Sequence, residues 1–141
     1  MIKMVIWDLI GVVYQNEHVD KEAKKIIDKF AGEGVRNATI SNTFPELIKD
    51  IGKDLHLDPA LSSVELGLSK RDKEIYKYLL EKCGFAPQEC VMIDDHRKNL
   101  HAAKELGIVT VLFGKGEAQE LGVDYVINDL NEFFSIVNNQ Q

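Results

Sequence analysis

A few positions in this sequence combine residue type and placement in a way that could do chemistry. Asp8 ends the apolar run Val5-Ile6-Trp7, and Asp94 with Asp95 ends a second run, Val91-Met92-Ile93. Ser41 and Asn42 close a third, and Lys70 opens the charged stretch Lys70-Arg71-Asp72-Lys73-Glu74. Carboxylates that meet at one place repel each other unless a cation sits among them, and all-oxygen ligands favour a hard ion such as magnesium. The Ser41 hydroxyl and the Lys70 ammonium would then supply donors to the oxygens of a phosphoryl group, leaving a carboxylate to attack phosphorus. The set suits phosphoryl transfer with Mg2+ as cofactor.

The elements that must bring these groups together follow from periodicity. Residues 2–7 form a short β-rich run with Gly11 just beyond it, a buried strand followed by a turn. From Asp20, an N-cap, Ala23, Ile26, Ile27, Phe30 and Ala31 recur at helical spacing, with Lys21, Glu22, Lys24, Lys25 and Asp28 on the other face. Gly32 and Gly34 end that helix. Residues 35–40 read as a second strand, and Thr43-Phe44-Pro45-Glu46 has the form of a capping box opening a helix from about Pro45 into Lys53. A third helix is expected over 72–83, with Ile75, Tyr78, Leu79 and Lys82 stepping round it and Gly84 as its stop. Residues 90–93 are a strand, 97–106 a helix ended by Gly107, 108–113 and 125–127 two further strands, and about 130–137 a last helix.

Strands and helices alternate almost throughout. Parallel strands need crossover connections, usually helical, so the alternation predicts an α/β fold: a three-layer, Rossmann-like parallel sheet with helices on both faces. Ligands in such sheets bind beyond the carboxyl ends of the strands. Asp8, Ser41, Asn42, Asp94 and Asp95 should therefore converge on one edge. No repeat, linker or low-complexity tract divides the chain, and residues 1–141 read as one domain.

The net charge of -6, from 17 Lys plus Arg against 23 Asp plus Glu, argues against non-specific binding to nucleic acid or anionic membrane. The N-terminus lacks a signal-peptide pattern and no apolar run approaches spanning length, so a cytoplasmic location is expected. Cys83 and Cys90 make neither a disulfide framework nor a metal pattern with His18, His56, His96 and His101, and read as buried or neutral thiols. His96, next to the acidic pair, reads as a surface histidine.

These residues also carry a family resemblance. The run Val5-Ile6-Trp7-Asp8-Leu9-Ile10-Gly11-Val12-Val13 resembles the first motif of the haloacid dehalogenase-like (HAD) hydrolases, in which an apolar strand ends in a nucleophilic Asp. Ile40-Ser41-Asn42 resembles their second motif, and Lys70 their phosphate-binding lysine. Val91-Met92-Ile93-Asp94-Asp95, with Asn99 four residues on, resembles their acidic fourth motif. The resemblance implies that Asp8 forms an aspartyl-phosphate and that magnesium is held by Asp8, Asp95 and the backbone carbonyl of Ile10. It further implies that Ser41, Asn42 and Lys70 bind the transferred group, and that Asp94 and Asn99 support the metal shell. The implied partner is a phosphorylated small molecule or macromolecule.

One position departs from the pattern. Phosphatases of this superfamily carry a second Asp where Ile10 stands, as the general acid and base. Ile10 can serve as neither, so hydrolysis is expected to be impaired, with a catalytically silent binding module as the alternative. About 30 residues separate Asp8 from Ser41 and a similar number separate Ser41 from Lys70, room for little more than a helix and its connections. No cap domain is expected, which in this family implies an open site or one closed by another subunit. A phosphate-accepting receiver domain shares the acidic edge but carries its acidic pair after the first strand, the reverse of the order here.

Overall fold

The computed structural model describes residues 1–140. In chain order the elements are β1 (Met4–Trp7), β2 (Tyr14–Gln15), β3 (His18–Val19), α1 (Lys21–Gly32), β4 (Arg36–Ser41), α2 (Pro45–Leu55), β5 (Ala60–Ser62) and α3 (Ser63–Leu66). They continue with α4 (Lys73–Cys83), a 3-10 turn at Pro87–Glu89, β6 (Cys90–Asp94), α5 (Arg97–Leu106), β7 (Val109–Phe113), α6 (Ala118–Leu121), β8 (Tyr125–Ile127) and α7 (Asn131–Asn138). Six strands form one parallel sheet in the order β5-β4-β1-β6-β7-β8. The expected α/β, Rossmann-like architecture is the one observed.

The two faces of the sheet are packed by different helices, because successive side chains of a strand point to opposite sides. Val5 and Trp7 of β1 join Ile26, Ile27 and Phe30 of α1, Ile48 and Ile51 of α2, and Phe133 and Val137 of α7. Met4 and Ile6 join Ile75, Tyr76 and Leu79 of α4 and Leu100 and Ala103 of α5. β1 is thus buried on both faces, as a central parallel strand must be.

The carboxyl end of β1 is pinned from three directions. The Asp8 amide donates to the Ile93 carbonyl at 2.9 Å, and Thr39 Oγ1 donates to the Trp7 carbonyl at 2.6 Å. The Trp7 ring packs edge-on against Phe133 at 5.1 Å between centroids, while its Nε1 donates to Asn37 Oδ1 at 2.9 Å.

Several details differ from the sequence expectation. The expected capping box does not form: Phe44 occupies the N-cap of α2 with no side-chain bond, and the Thr43 carbonyl accepts from Ser62 Oγ at 2.8 Å. The buried face of α4 is Ile75, Tyr76, Leu79 and Leu80, leaving Tyr78 40% exposed. The second strand reaches Ser41, one residue beyond the expected end. The hairpin β2–β3, strand β5 and the one-turn helices α3 and α6 were not foreseen. The hairpin turns on Asn16 and Glu17, at φ 52° and 64°, the left-handed pair that a two-residue loop requires.

Only this hairpin lies between β1 and α1, and only α2, β5 and α3 lie between β4 and Lys70. No separate domain is inserted at either place. No helix among the described residues is long and apolar enough to cross a membrane. Phe133→Ala, which empties the pocket beneath Trp7, should lower unfolding stability by about 3–5 kcal/mol in denaturant titration.

Candidate functional site

The sheet order reverses between β1 and β6: the chain builds β4 and β5 on one side of β1, then returns to place β6, β7 and β8 on the other. Crevices at such a reversal are where α/β sheets bind ligands. Asp8 follows β1, Asp94 ends β6, and Ser41 ends β4, so all three stand at that edge. A cleft of about 290 Å³ there is lined by Asp8, Ile10, Ser41, Asn42, Thr43, Lys70, His96 and Asn99.

Lys70 arrives from the loop between α3 and α4 and is 2% exposed. Its Nζ lies 2.6 Å from Asp8 Oδ1 and 3.0 Å from Asp94 Oδ2. Tyr76 on α4 fixes the backbone behind it: the phenol donates to the Lys70 carbonyl at 2.6 Å, with the Asn99 carbonyl 3.2 Å away. Burial of that phenol pushes its pKa further up and keeps it protonated. Burial works to lower the Lys70 ammonium, but Asp8 and Asp94 outweigh it and hold the group above its ordinary value.

The two adjacent acids face different partners. Asp94 is fully buried; its Oδ2 accepts from Lys70 and from Asn99 Nδ2 at 3.1 Å, and its Oδ1 accepts the His96 amide at 2.8 Å. Asp94 and Asn99 therefore brace Lys70, with the Asp94 oxygens occupied by protein donors. Asp95 lies on the other side, against Gly11 at φ 100°, where a Cβ would sit 2.4 Å from Asp95 Oδ2. Only glycine leaves room for that carboxylate. His96 is exposed, as expected for a surface histidine, yet it lines the cleft with Nδ1 2.9 Å from Asp95 Oδ1.

Burial pushes the Asp8 carboxyl up to about 8; Lys70 opposes the shift and Asp94 adds to it. At Asp95 burial also works upward, but a hydrogen bond with Asp8 and the His96 ring prevail and hold the group below the usual carboxylate range. Two carboxyls pushed apart in this way share a proton, the arrangement that a cation replaces. Among the described residues, Asp8, Asp94, Asp95 and His96 are the one group of potential ligands with donor atoms within 4.8 Å of one another. Asp94 has both oxygens on protein donors, whereas Asp8 and Asp95 each keep a second oxygen beyond the one on Lys70 or His96, a donor set that fits a hard divalent cation.

Ser41 is buried in the cleft wall, and Asn42 Oδ1 accepts from Ser63 Oγ at 2.5 Å, turning that end of its amide toward α3. Ile10 is 45% exposed and presents an apolar side chain to the cleft. The structure thus brings together Asp8, Ile10, Ser41, Asn42, Lys70, Asp94, Asp95 and Asn99. Sequence reasoning missed Tyr76 and Thr43. A tyrosine on an otherwise apolar helix face, six residues after Lys70, was the available signal for Tyr76.

A family model described as haloacid dehalogenase-like hydrolase matches residues 3–107. The chain belongs to that family. Among curated relatives of this HAD chain is the glyceraldehyde 3-phosphate phosphatase of Methanocaldococcus jannaschii, 38% identical over 87 residues that cover 58% of the chain and 38% of the relative. The phosphoserine phosphatase of Thermus thermophilus is 29% identical over 121 residues, covering 80% and 49% respectively. The chain spans less than half the length of these two relatives. The cobalt-bound deoxy-D-mannose-octulosonate 8-phosphate phosphatase of Haemophilus influenzae superposes with a TM-score of 0.75 at 18% identity, over 99% of this chain and 89% of that one, which shows the shared fold.

Two variants probe this geometry. Lys70→Met removes the cation from the buried Asp94 carboxylate and from Asp8, and should cost about 3–5 kcal/mol; the deficit should be largest at alkaline pH, where Asp8 is ionised, and shrink as pH falls through about 8 and Asp8 takes up its proton, as thermal melts across pH will show. Gly11→Ala should displace Asp95, and any Mg2+ affinity that calorimetry finds for the natural chain should fall by about 10–100-fold.

Proposed function

We propose that this chain is a magnesium-dependent phosphatase or phosphotransferase acting through Asp8, with its hydrolytic step impaired by Ile10. The observation that carries the reading is the Lys70 Nζ shared between Asp8 and Asp94 in the switch-point crevice. Asp8, Asp95 and the Ile10 backbone carbonyl would hold Mg2+, which when bound neutralises charge on a phosphoryl group. An Asp8 oxygen attacks phosphorus, while the Lys70 ammonium and Ser41 hydroxyl bind the phosphoryl oxygens, Asn42 completing that wall. Asp94 and Asn99 keep Lys70 in place. The phosphatase relatives support the reaction class, and the net charge of -6 supports a phosphorylated partner other than nucleic acid or membrane. We read residues 1–141 as one capless domain working in the cytoplasm.

Ile10 favours a second reading, a module that binds metal and phosphate without turnover. General acid and base catalysis is worth roughly 10²–10⁴-fold, and an alkyl side chain supplies none of it. With Mg2+, the natural chain should turn over p-nitrophenyl phosphate, Asp8→Asn should abolish it, and Ile10→Asp should speed alkyl phosphates by about 10²-fold or more. Equal rates for the natural chain and Asp8→Asn would sink the first reading. Inertness of the natural chain, with activity restored by Ile10→Asp, would establish the second.

A further inference from the structure

An imidazole stands among the acids of this site, and burial does not hold it there. The His96 side chain is 68% exposed, yet its Nδ1 lies 2.9 Å from Asp95 Oδ1 and 3.7 Å from Asp94 Oδ1, and the residue lines the cleft. The other three histidines are placed elsewhere. His101 Nε2 is bonded to the Leu121 carbonyl at 2.7 Å, His18 belongs to the hairpin, and His56 follows the last turn of α2. Among the described residues, His96 is thus the one imidazole that joins carboxylates in a group compact enough for a single ion.

The spacing suits shared coordination. Two ligand atoms each about 2.1 Å from one ion, and adjacent around it, stand about 3 Å apart. Asp95 Oδ1 and His96 Nδ1 already have that separation, and both side chains are open to solvent, so an ion can reach them. Oxygen ligands suit Mg2+, whereas imidazole suits transition ions such as Zn2+ and Ni2+.

We infer that His96 is a metal ligand through Nδ1, side by side with Asp95, and that the site thereby selects a divalent transition ion such as Zn2+ over Mg2+. The inference rests on the reading of Asp8 and Asp95 as the carboxylates that hold metal. A carboxylate only accepts hydrogen bonds, so the contact in the metal-free chain is donated by the His96 Nδ1–H to Asp95 Oδ1. Coordination passes that proton to solvent and turns the lone pairs of both atoms to the ion, while the ring keeps its remaining proton on Nε2. Mg2+ has the second oxygens of Asp8 and Asp95 open to it and leaves the bond between His96 and Asp95 in place. One residue therefore separates two classes of ion at a single place.

Calorimetry of the whole chain with ZnCl2 and with MgCl2 tests this against His96→Asn, whose amide still donates to Asp95 but is a poor ligand. The variant should lower Zn2+ affinity at least about 10-fold more than it lowers Mg2+ affinity. In nitrogen NMR of the imidazole rings, one equivalent of Zn2+ should move His96 Nδ1 and leave His18, His56 and His101 near their metal-free positions, a readout that needs no variant. Equal losses for the two ions would make His96 only an orienting partner of Asp95 and overturn the inference. So would Zn2+ binding that survives Asp95→Asn at full strength, which would put the zinc elsewhere. Mg2+ binding together with an unmoved His96 resonance at saturating Zn2+ would sink the inference and spare the metal reading. If neither ion gives heat with the natural chain, the metal reading itself fails and the inference falls with it.

Discussion

Two carboxylates buried side by side, Asp8 and Asp94, persist at the centre of this protein because one ammonium nitrogen stands within 3.0 Å of both. Each ion taken out of water loses several kcal/mol of hydration, and only good geometry with further hydrogen bonds offsets that loss. The rest of the site follows from meeting this condition. Lys70 must come from a loop that is itself fixed, and Tyr76 fixes it by reaching back from α4 to the Lys70 carbonyl. Tyr76 is in turn held by the core that α4 and α5 share beneath Met4 and Ile6. The orientation of one ammonium thus depends on packing across a whole face of the sheet.

Asp94 and Asp95 show how adjacent residues of one type are assigned different work. The last residue of β6 points down into the protein to Lys70 and Asn99, and the next, free of the strand, points across to the loop at Gly11. The first is saturated by donors and rigid; the second keeps oxygens available. Neither could replace the other without moving the strand end.

Much of this was legible in the sequence, for identifiable reasons. Amphipathic helices such as Lys21–Gly32 and Arg97–Leu106 announce themselves through apolar spacing and terminal caps, and strands buried on both faces announce themselves as apolar runs. Asp8, Asp94 and Asp95 were visible because each follows such a run. The elements that escaped are those too short to carry a period: two residues in each hairpin strand and three in β5. The α4 face was misread because Tyr76 and Tyr78 are chemically alike, and only tertiary packing decides which is buried. The Thr43 cap failed for a similar reason, since Ser62, nineteen residues away, bonds the Thr43 backbone. That Lys70 would bridge the two acids could not be read from spacing, because it depends on a crossover joining distant parts of the chain.

The strand order has a further bearing on how the molecule is made. β1 precedes both of its sheet neighbours, β4 and β6, in the chain, and β6 begins only at Cys90. Until that segment is synthesised, one edge of this strand, buried on both faces in the folded protein, has no partner, and Met4 to Trp7 presents the kind of unpaired apolar edge that invites pairing with other chains. The same wait keeps Asp8 apart from Asp94 and Lys70 until their segments have been made. The nascent chain therefore carries Asp8 without the partners that surround it in the crevice, which comes into being only with the closing of the sheet's second half.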